Sequence, residues 1–161
     1  MSREEFRQTH VSLSGRRYDK VVVGAAVLHP SSHAEGSPKL LLLKRAPHET
    51  SYPNLFELPG GKVDEEDISP RIVAEFEPFE YTLEKVTKQA DGTEVTEEKS
   101  SYQLNFLVEV SGSEVIMNPE EHSESAWVTE QEVGPYPMSD GMRKVVANAF
   151  RRAEEVLKMY M

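Results

Sequence analysis

The chain has 161 residues, of which 38% are hydrophobic and 29% charged, a composition typical of one globular domain with a core. Its 28 acidic and 18 basic residues give a net charge of −10, which argues against a nonspecific nucleic-acid binder. The sequence lacks cysteine, which excludes a disulfide framework and a cysteine-based zinc site, and its apolar runs are too short to span a bilayer. A cytoplasmic location is therefore expected, while a nuclear or other intracellular one stays open.

Apolar periodicity divides the chain into strands separated by polar loops. Residues 1–18 are polar with scattered apolar positions, and are predicted to be an N-terminal arm or edge strand before a domain at 19–161. The predicted strands share apolar runs or apolar–polar alternation and lie at 20–29, 39–45, 55–58, 71–86, 101–110 and 126–128. Loops are predicted from composition at 30–38, 46–54 and 111–124.

Two local signals shape the long predicted strand at 71–86 and its return. The apolar positions change phase at Pro78, which favours a bulge or bend where the missing N–H does least harm. The pair Asp91-Gly92 then marks a tight hairpin.

One long helix is predicted near the end of the chain. Thr129 and Glu132 have the spacing of a capping box, which predicts a short helical turn after the last strand. Ser139 is predicted to cap a helix from 140 to about 159, because the apolar residues there recur at helical spacing.

The most informative stretch is residues 56–67. An apolar strand end is followed by the sharp turn Pro59-Gly60-Gly61, since proline fixes φ and glycine accepts positive φ. Four acidic residues follow at 64–67. A strand, a glycine turn and carboxylates together indicate a site for a hard cation such as Mg²⁺.

The motif Leu58-Pro59-Gly60-Gly61-Lys62-Val63 resembles the opening of the Nudix box, the signature of the Nudix hydrolases. That family cleaves nucleoside diphosphates linked to another group, using Mg²⁺ or Mn²⁺. Its box reads Gly, five residues, Glu, seven residues, then Arg-Glu-aliphatic-any-Glu-Glu-any-Gly-aliphatic. Gly61 matches the first glycine and Asp67 stands at the position of the first glutamate. The match then stops, because Pro70 is followed at once by the predicted strand that begins at Arg71.

The resemblance covers roughly residues 19–150 and implies an α+β fold, a Nudix-like α/β/α sandwich around a mixed sheet, with the Nudix-box helix deleted. It implies Mg²⁺ or Mn²⁺ as the cofactor of an active chain. The implied ligand is a nucleoside diphosphate-linked small molecule, with neither a DNA or RNA polymer nor a membrane as partner. Since the helix normally covers one sheet face, its loss is expected to leave an apolar strip exposed or filled by another segment. A less stable chain or a homodimer would follow.

The resemblance also suggests site residues, each with a plainer alternative. The candidates are Arg45, Gly60 and Gly61 for substrate binding, Glu66 and Asp67 for metal binding, and Glu121 as a catalytic base from a late loop. The alternatives are a charged strand end for Arg45 and solvated surface carboxylates for the acidic residues. Glu75 and Glu77 either replace the missing carboxylates or form a solvated strand face. His122 either contacts a phosphate or caps Trp127.

Three functions stay open for this chain. It is a shortened form of a hydrolase, which the abrupt junction before Arg71 favours; it is a non-catalytic nucleotide- or protein-binding module; or it has a rebuilt site that uses Glu66, Asp67, Glu75 and Glu121. Without the Arg-Glu and Glu-Glu residues, pyrophosphatase activity of the chain as written is expected to be absent or much weakened.

Overall fold

The structure is a computed structural model that describes residues 18, 20–60 and 71–159. The predicted N-terminal arm, apart from Tyr18, and the acidic segment at 61–70 lie outside these ranges. Within them the strands are β1 (Lys20–Leu28), β2 (Leu40–Arg45), β3 (Phe56–Glu57), β4 (Arg71–Lys88), β5 (Glu94–Glu109) and β6 (His122–Val128). The helices are α1 (Ser32–Glu35) and α2 (Asp140–Met159), with a 3-10 turn at Glu130–Glu132. None of the described helices is long and apolar enough to cross a membrane.

Two predictions from composition are wrong in detail. The loop predicted at 30–38 contains α1, which ends at Glu35 and is capped by Gly36 with φ of 67°, a conformation that glycine adopts without steric cost. The last strand starts at His122 rather than at residue 126, because His122 and the residues after it pair with β2 despite their polarity. Polar side chains on an edge strand give no apolar alternation for the sequence to reveal.

The hairpin and the capped helix are confirmed. Gly92 has φ of 83°, and Asp91 Oδ1 accepts a 3.0 Å hydrogen bond from Thr93 N between β4 and β5. Ser139 Oγ accepts a 3.2 Å hydrogen bond from Met142 N at the start of α2. β4 runs without interruption through Pro78, and the bulge expected there stays a prediction.

The described residues form two compact units. One contains the residues up to Val23 together with Pro78–Leu104, and the other contains residues within Gly24–Glu77 and Asn105–Met161. In the first unit, the buried Tyr18 hydroxyl donates a 2.9 Å hydrogen bond to Glu80 Oε2. Desolvation by burial, together with that hydrogen bond, raises the pKa of Tyr18 to about 12. The second unit contains the candidate site residues that the structure describes.

β2 is the strand on which the second unit is built. The sheet order is β3-β2-β1-β5-β4, and β6 pairs with β2 outside this path. β6 pairs antiparallel along β2 from Leu40 to Arg45, so β1 and β3 share its other edge. β1 meets β2 where Leu28 faces Leu40, and β3 meets it farther along, where Glu57 faces Leu43.

The two faces of this sheet are buried to different extents. One face, which we call the α2 face, has apolar side chains with exposures of 0 or 1%: Ala26, Leu28, Leu40, Leu42, Leu107 and Val128. α2 also buries one side of its surface, including Val146, Ala149 and Phe150, and it is the longest helix in the described ranges. Both surfaces are apolar and buried, and in a two-layer arrangement such a sheet face and helix surface pack against each other. This α+β architecture agrees with the predicted fold class.

Candidate functional site

A charged cluster lies at the end of β2, where three strands meet. It consists of Arg45 on β2, Glu57 on β3 and His122 at the start of β6. Glu57 Oε1 accepts from Arg45 Nη1 at 3.2 Å and from His122 Nε2 at 2.9 Å. A carboxylate can only accept, so His122 Nε2 carries a proton in this contact. The three side chains are 13 to 23% exposed, which leaves the cluster partly open to solvent.

The alternation of the strands explains why these three residues meet. Arg45 follows Leu41 and Leu43 on the same face of β2. The ladder places Glu57 opposite Leu43 and, after an irregularity between Lys44 and Arg45, His122 opposite Arg45. Residues that face each other across antiparallel strands lie on the same side of the sheet. The cluster therefore lies on the face opposite α2.

Arg45 is a predicted substrate-binding residue, and the structure places its guanidinium in contact with protein groups. Besides Glu57, it contacts Glu49 Oε2 at 3.4 Å through Nη2 and donates through Nε to the Ser51 carbonyl at 2.8 Å. Its backbone exchanges hydrogen bonds with Leu55 and Asn54. These contacts make Arg45 the residue that closes the loop between β2 and β3, whatever else it binds.

That loop holds two residues in the left-handed region. Tyr52 has φ of 52° and Asn54 has φ of 62°. Asparagine tolerates this conformation, whereas a tyrosine there is strained and needs surrounding contacts to hold it. Tyr52 is 46% exposed, so burial of its ring does not offset the energetic cost of this backbone conformation. The hydrogen bonds from Arg45 to the loop supply part of the required constraint.

Glu121, the predicted base, lies in an exposed turn just before β6. Its backbone is fixed on both sides: the carbonyl accepts from Ala46 N at 2.8 Å, and the amide donates to Asn118 O at 3.0 Å. His48 Nε2 also contacts the neighbouring Glu120 carbonyl at 2.6 Å. The structure thus brings the Glu121 turn next to the loop that follows Arg45.

Gly60 is the remaining predicted binding residue within the described ranges. It forms a bridge with Gly24 of β1, and the adjacent Pro59 carbonyl accepts from Ala25 N at 2.8 Å. Pro59 and Gly60 are therefore fixed against β1. Gly61, Glu66 and Asp67 lie outside the described residues.

The other two acidic residues named from the sequence, Glu75 and Glu77, both contact α2, but only Glu77 does so through its carboxylate. Arg151 Nη2 donates to Glu77 Oε1 at 2.7 Å, and Arg152 Nε donates to the Glu75 carbonyl at 3.1 Å. A hydrogen bond from its own backbone amide, and then the charge of Arg151, hold the pKa of Glu77 below its usual range. Among the residues that the structure describes, no three or more histidine or carboxylate side chains gather to hold a metal ion.

A second ion-pair group joins the first residue of β4 to the end of β5. Glu109 Oε2 accepts from Arg71 Nη2 at 2.6 Å, and Glu109 Oε1 contacts His33 Nε2. Burial raises the pKa of Glu109, but the hydrogen bonds and charges of Arg71 and His33 outweigh burial and bring it below its usual value. The start of β4 is therefore fixed on the sheet.

Comparison with known proteins identifies the family. The family model for the NUDIX domain matches residues 20–149, which is more than half of the chain. The chain belongs to the Nudix family. The Nudix match includes residues of both units and all the candidate site residues named from the sequence.

Several solved structures match this chain. A Deinococcus radiodurans protein is 17% identical with a TM-score of 0.52, covering 84% of this chain and 84% of that one. A MutT NUDIX hydrolase from Burkholderia pseudomallei is 19% identical with a TM-score of 0.47, covering 80% and 95%. The NUDIX domain of Shewanella oneidensis NrtR, solved with ADP ribose, is 16% identical with a TM-score of 0.48, covering 95% and 99%. A search of curated protein sequences finds no match.

Sequence reasoning missed the partners of two Nudix site candidates. His122 does not cap Trp127, as one alternative held; it pairs with Glu57, while Trp127 Nε1 donates to the Ser113 carbonyl at 3.2 Å. The pairing of Glu57 with Arg45 depends on the register between β2 and β3, which the loop between them sets. The resemblance to the Nudix box begins at Leu58, whereas Glu57, the residue just before it, makes these contacts.

Proposed function

We propose that this chain is a Nudix-domain protein of a lineage that hydrolyses nucleoside diphosphate derivatives with Mg²⁺ or Mn²⁺, in a form that is inactive or much weakened. The observation that carries this proposal is the start of β4 at Arg71. Gly60 is held against β1, so the box has only residues 61–70 before the next strand begins.

The spacing of the box makes the consequence explicit. With Asp67 at the first glutamate position, the seven-residue spacer ends at Ala74, and Arg-Glu would fall on Glu75-Phe76. The Glu-Glu pair would fall on Phe79-Glu80. All four positions lie in β4, where successive side chains point to opposite faces. The carboxylates of a helix converge because residues three and four apart share a side, and a strand cannot reproduce that arrangement.

The candidate residues keep separate roles within this proposal. Gly60, Gly61 and Arg45 are proposed on the substrate side, Glu66 and Asp67 on the metal side, and Glu121 as the base. Arg45 would exchange one of its carboxylate contacts for a phosphate oxygen, since a guanidinium suits both groups. Nudix hydrolases generally use divalent metals, and in an active form such an ion would neutralise phosphate charge and activate water.

The direct test compares three proteins on a panel of nucleoside diphosphate derivatives with Mg²⁺ or Mn²⁺. These are the chain as it stands, a variant with a Nudix helix inserted between Pro70 and Arg71, and a matched variant whose inserted Glu-Glu pair is Gln-Gln. We expect hydrolysis only from the variant with Glu-Glu. If instead the unmodified chain hydrolyses a substrate, and Glu121→Gln reduces that activity, the chain has a rebuilt site and the proposal is wrong.

The alternative is a non-catalytic nucleotide- or protein-binding module. It is favoured if the inserted variant folds, as judged by a cooperative melt, yet hydrolyses nothing while the unmodified chain binds a nucleoside diphosphate derivative. A homodimer is the proposed assembly if the shortened chain leaves apolar surface exposed. Sedimentation over a range of concentrations tests it, and a monomer throughout would exclude it.

A further inference from the structure

The loop between β2 and β3 carries an exposed aromatic side chain on a strained backbone. Tyr52 has φ of 52° and is 46% exposed. The left-handed region is costly for a residue with a bulky side chain. Asparagine adopts it at lower cost, as Asn54 does two residues later with φ of 62°. Folding of the loop therefore does not require a tyrosine at position 52.

The Tyr52 side chain gains little from the protein around it. In the part of the chain that the structure describes, the ring pairs and the cation–π contact involve other aromatic residues, and the Tyr52 hydroxyl makes no hydrogen bond. The residue is held through its main chain, since its carbonyl accepts from Leu55 N at 3.4 Å. Strained residues are concentrated at ligand sites, and an exposed aromatic ring is a surface on which a flat ligand stacks.

Hydrogen bonds place Tyr52 beside the charged cluster. Arg45 Nε donates to the carbonyl of Ser51, the residue before Tyr52, at 2.8 Å. The backbone of Arg45 also bonds to Asn54 at 3.1 Å and to Leu55 at 2.9 Å. Consecutive Cα atoms are about 3.8 Å apart, so Tyr52 lies one peptide unit away from the contact that Arg45 makes with the loop.

The start of the loop is held as well. Ala46 N donates to the Glu121 carbonyl at 2.8 Å, and His48 Nε2 contacts the Glu120 carbonyl at 2.6 Å. Residues 52–54, at the other end of the loop, are exposed. The backbone that carries the Tyr52 ring is thus fixed before any ligand binds, which lowers the entropy cost of binding.

We propose that Tyr52 stacks on the base of a nucleoside diphosphate derivative whose phosphates reach Arg45. This inference rests on the proposed function, which supplies the class of ligand, and it assigns the base to a residue outside the Nudix box. A guanidinium binds phosphate oxygens through paired hydrogen bonds, and an aromatic ring stacks on any nucleobase. The ribose separates the base from the phosphates, so one ligand contacts both a ring and a guanidinium that lie near each other. Ligand binding then offsets the backbone strain that folding leaves uncompensated.

The test measures the affinity of the chain for two ligands by calorimetry. Mg²⁺ is present, because the carboxylates of Glu49 and Glu57 beside Arg45 repel phosphate. The first ligand is α,β-methylene ADP, in which carbon replaces the bridging oxygen of the diphosphate, so that this linkage is not hydrolysed. The second is methylenediphosphonate, which has the same linkage and no base.

We expect the base-binding role of Tyr52 to separate these ligands. Tyr52→Asn, which relieves the strain, should weaken α,β-methylene ADP binding about tenfold and change methylenediphosphonate binding by less than about twofold. Tyr52→Phe keeps the ring and should bind both ligands as the unmodified chain does. Met159→Asn is the matched control, because Met159 is 76% exposed at the end of α2, and it should alter neither affinity.

Melting temperatures give a second readout, which also shows that each variant folds. A ligand that binds the native state raises the melting temperature according to its concentration and affinity. At one concentration, α,β-methylene ADP should therefore raise the melting temperature of the unmodified chain and of Tyr52→Phe more than that of Tyr52→Asn. Without ligand, Tyr52→Asn should melt no lower than the unmodified chain, so weaker binding is not a loss of fold.

Three results would overturn the proposal. The unmodified chain does not bind α,β-methylene ADP; or Tyr52→Asn binds it as tightly as the unmodified chain, in which case the ring does not contact the base. The third is an equal loss of affinity for both ligands, in which case Tyr52 acts on the phosphates through Arg45. Hydrolysis of other substrates by the unmodified chain would reject the proposed function but leave this comparison intact, because both readouts measure binding alone.

Discussion

The charged cluster provides the sharpest test of the site geometry. Glu57→Gln keeps the size of the side chain but removes the charge that faces Arg45 at 3.2 Å and His122 at 2.9 Å. Hydrogen bonds to charged groups contribute about 1.5–3 kcal/mol, and exposed ion pairs about 0–1 kcal/mol. The side chain of Glu57 is 23% exposed, which places its contacts between the buried and the exposed case. We therefore expect Glu57→Gln to lower the free energy of unfolding by about 1–2 kcal/mol.

The assay is urea unfolding of Glu57→Gln beside Glu124→Gln. Glu124 on β6 pairs with Lys44 on β2 at 3.1 Å, but its side chain is 60% exposed, so its replacement should cost less than about 0.5 kcal/mol. A double-mutant cycle with Arg45→Met should give a coupling energy of about 1 kcal/mol for Glu57. Losses from Glu57→Gln and Glu124→Gln that agree within about 0.3 kcal/mol would refute the claim that burial strengthens the cluster.

Three further predictions concern strain and titration. Tyr52→Asn should raise the free energy of unfolding by about 0.5–1 kcal/mol, since asparagine tolerates φ of 52°, whereas Asn54→Val at φ of 62° should lower it. Denaturant midpoints that move in the opposite directions would show that the backbone is not strained at these positions. Tyr18 should ionise at about pH 12, which absorbance near 295 nm would show. Because this pKa is raised, the stability that Tyr18 contributes is present below about pH 10 and is lost as pH rises through about 12. Ionisation near the usual pKa of tyrosine in the folded protein would contradict its burial. Because the pKa of Glu109 is lowered in the folded protein, its carboxylate contributes stability at pH values above the usual pKa of about 4.3, and this stability is lost as pH falls through the folded pKa. Glu109→Gln should therefore make the free energy of unfolding less dependent on pH in the acid range. An unchanged pH dependence would show that Arg71 and His33 do not stabilise the carboxylate.

Apolar patterning predicted the strands and α2 because these elements bury one face or one stripe. The run from Leu40 to Leu43 has a signal on both faces, and both faces are buried in the structure. α1 was missed because four residues are too few for a helical period to appear. The start of β6 was missed because its first residues are polar and are held in the sheet by backbone pairing, which leaves no periodic pattern of apolar side chains in the sequence.

The site was less predictable than the fold, for a physical reason. Arg45 was recognised as a basic residue at a strand end, but its contacts with Glu49 and Glu57 depend on how the following loop folds back. Loop conformation follows from hydrogen bonds such as that of Arg45 with the Ser51 carbonyl, which no spacing rule reveals. Residues 111–118 were likewise predicted correctly as a loop, but the sequence could not show that Val115 and Met117 pack against the sheet face that carries Leu41 and Leu43.

The pairing of β2 with strands from both ends of the domain has a consequence for folding kinetics. Leu40 faces Leu28, a near neighbour in sequence, and also Val128, which is most of the domain away. The first contact closes a short loop, whereas the second must bring distant parts of the chain together at a larger entropic cost. The β1–β2 pair is therefore expected to form early, and the docking of β6 to limit the folding rate. Stopped-flow refolding of Val128→Ala and Val27→Ala would separate the two steps by their φ-values.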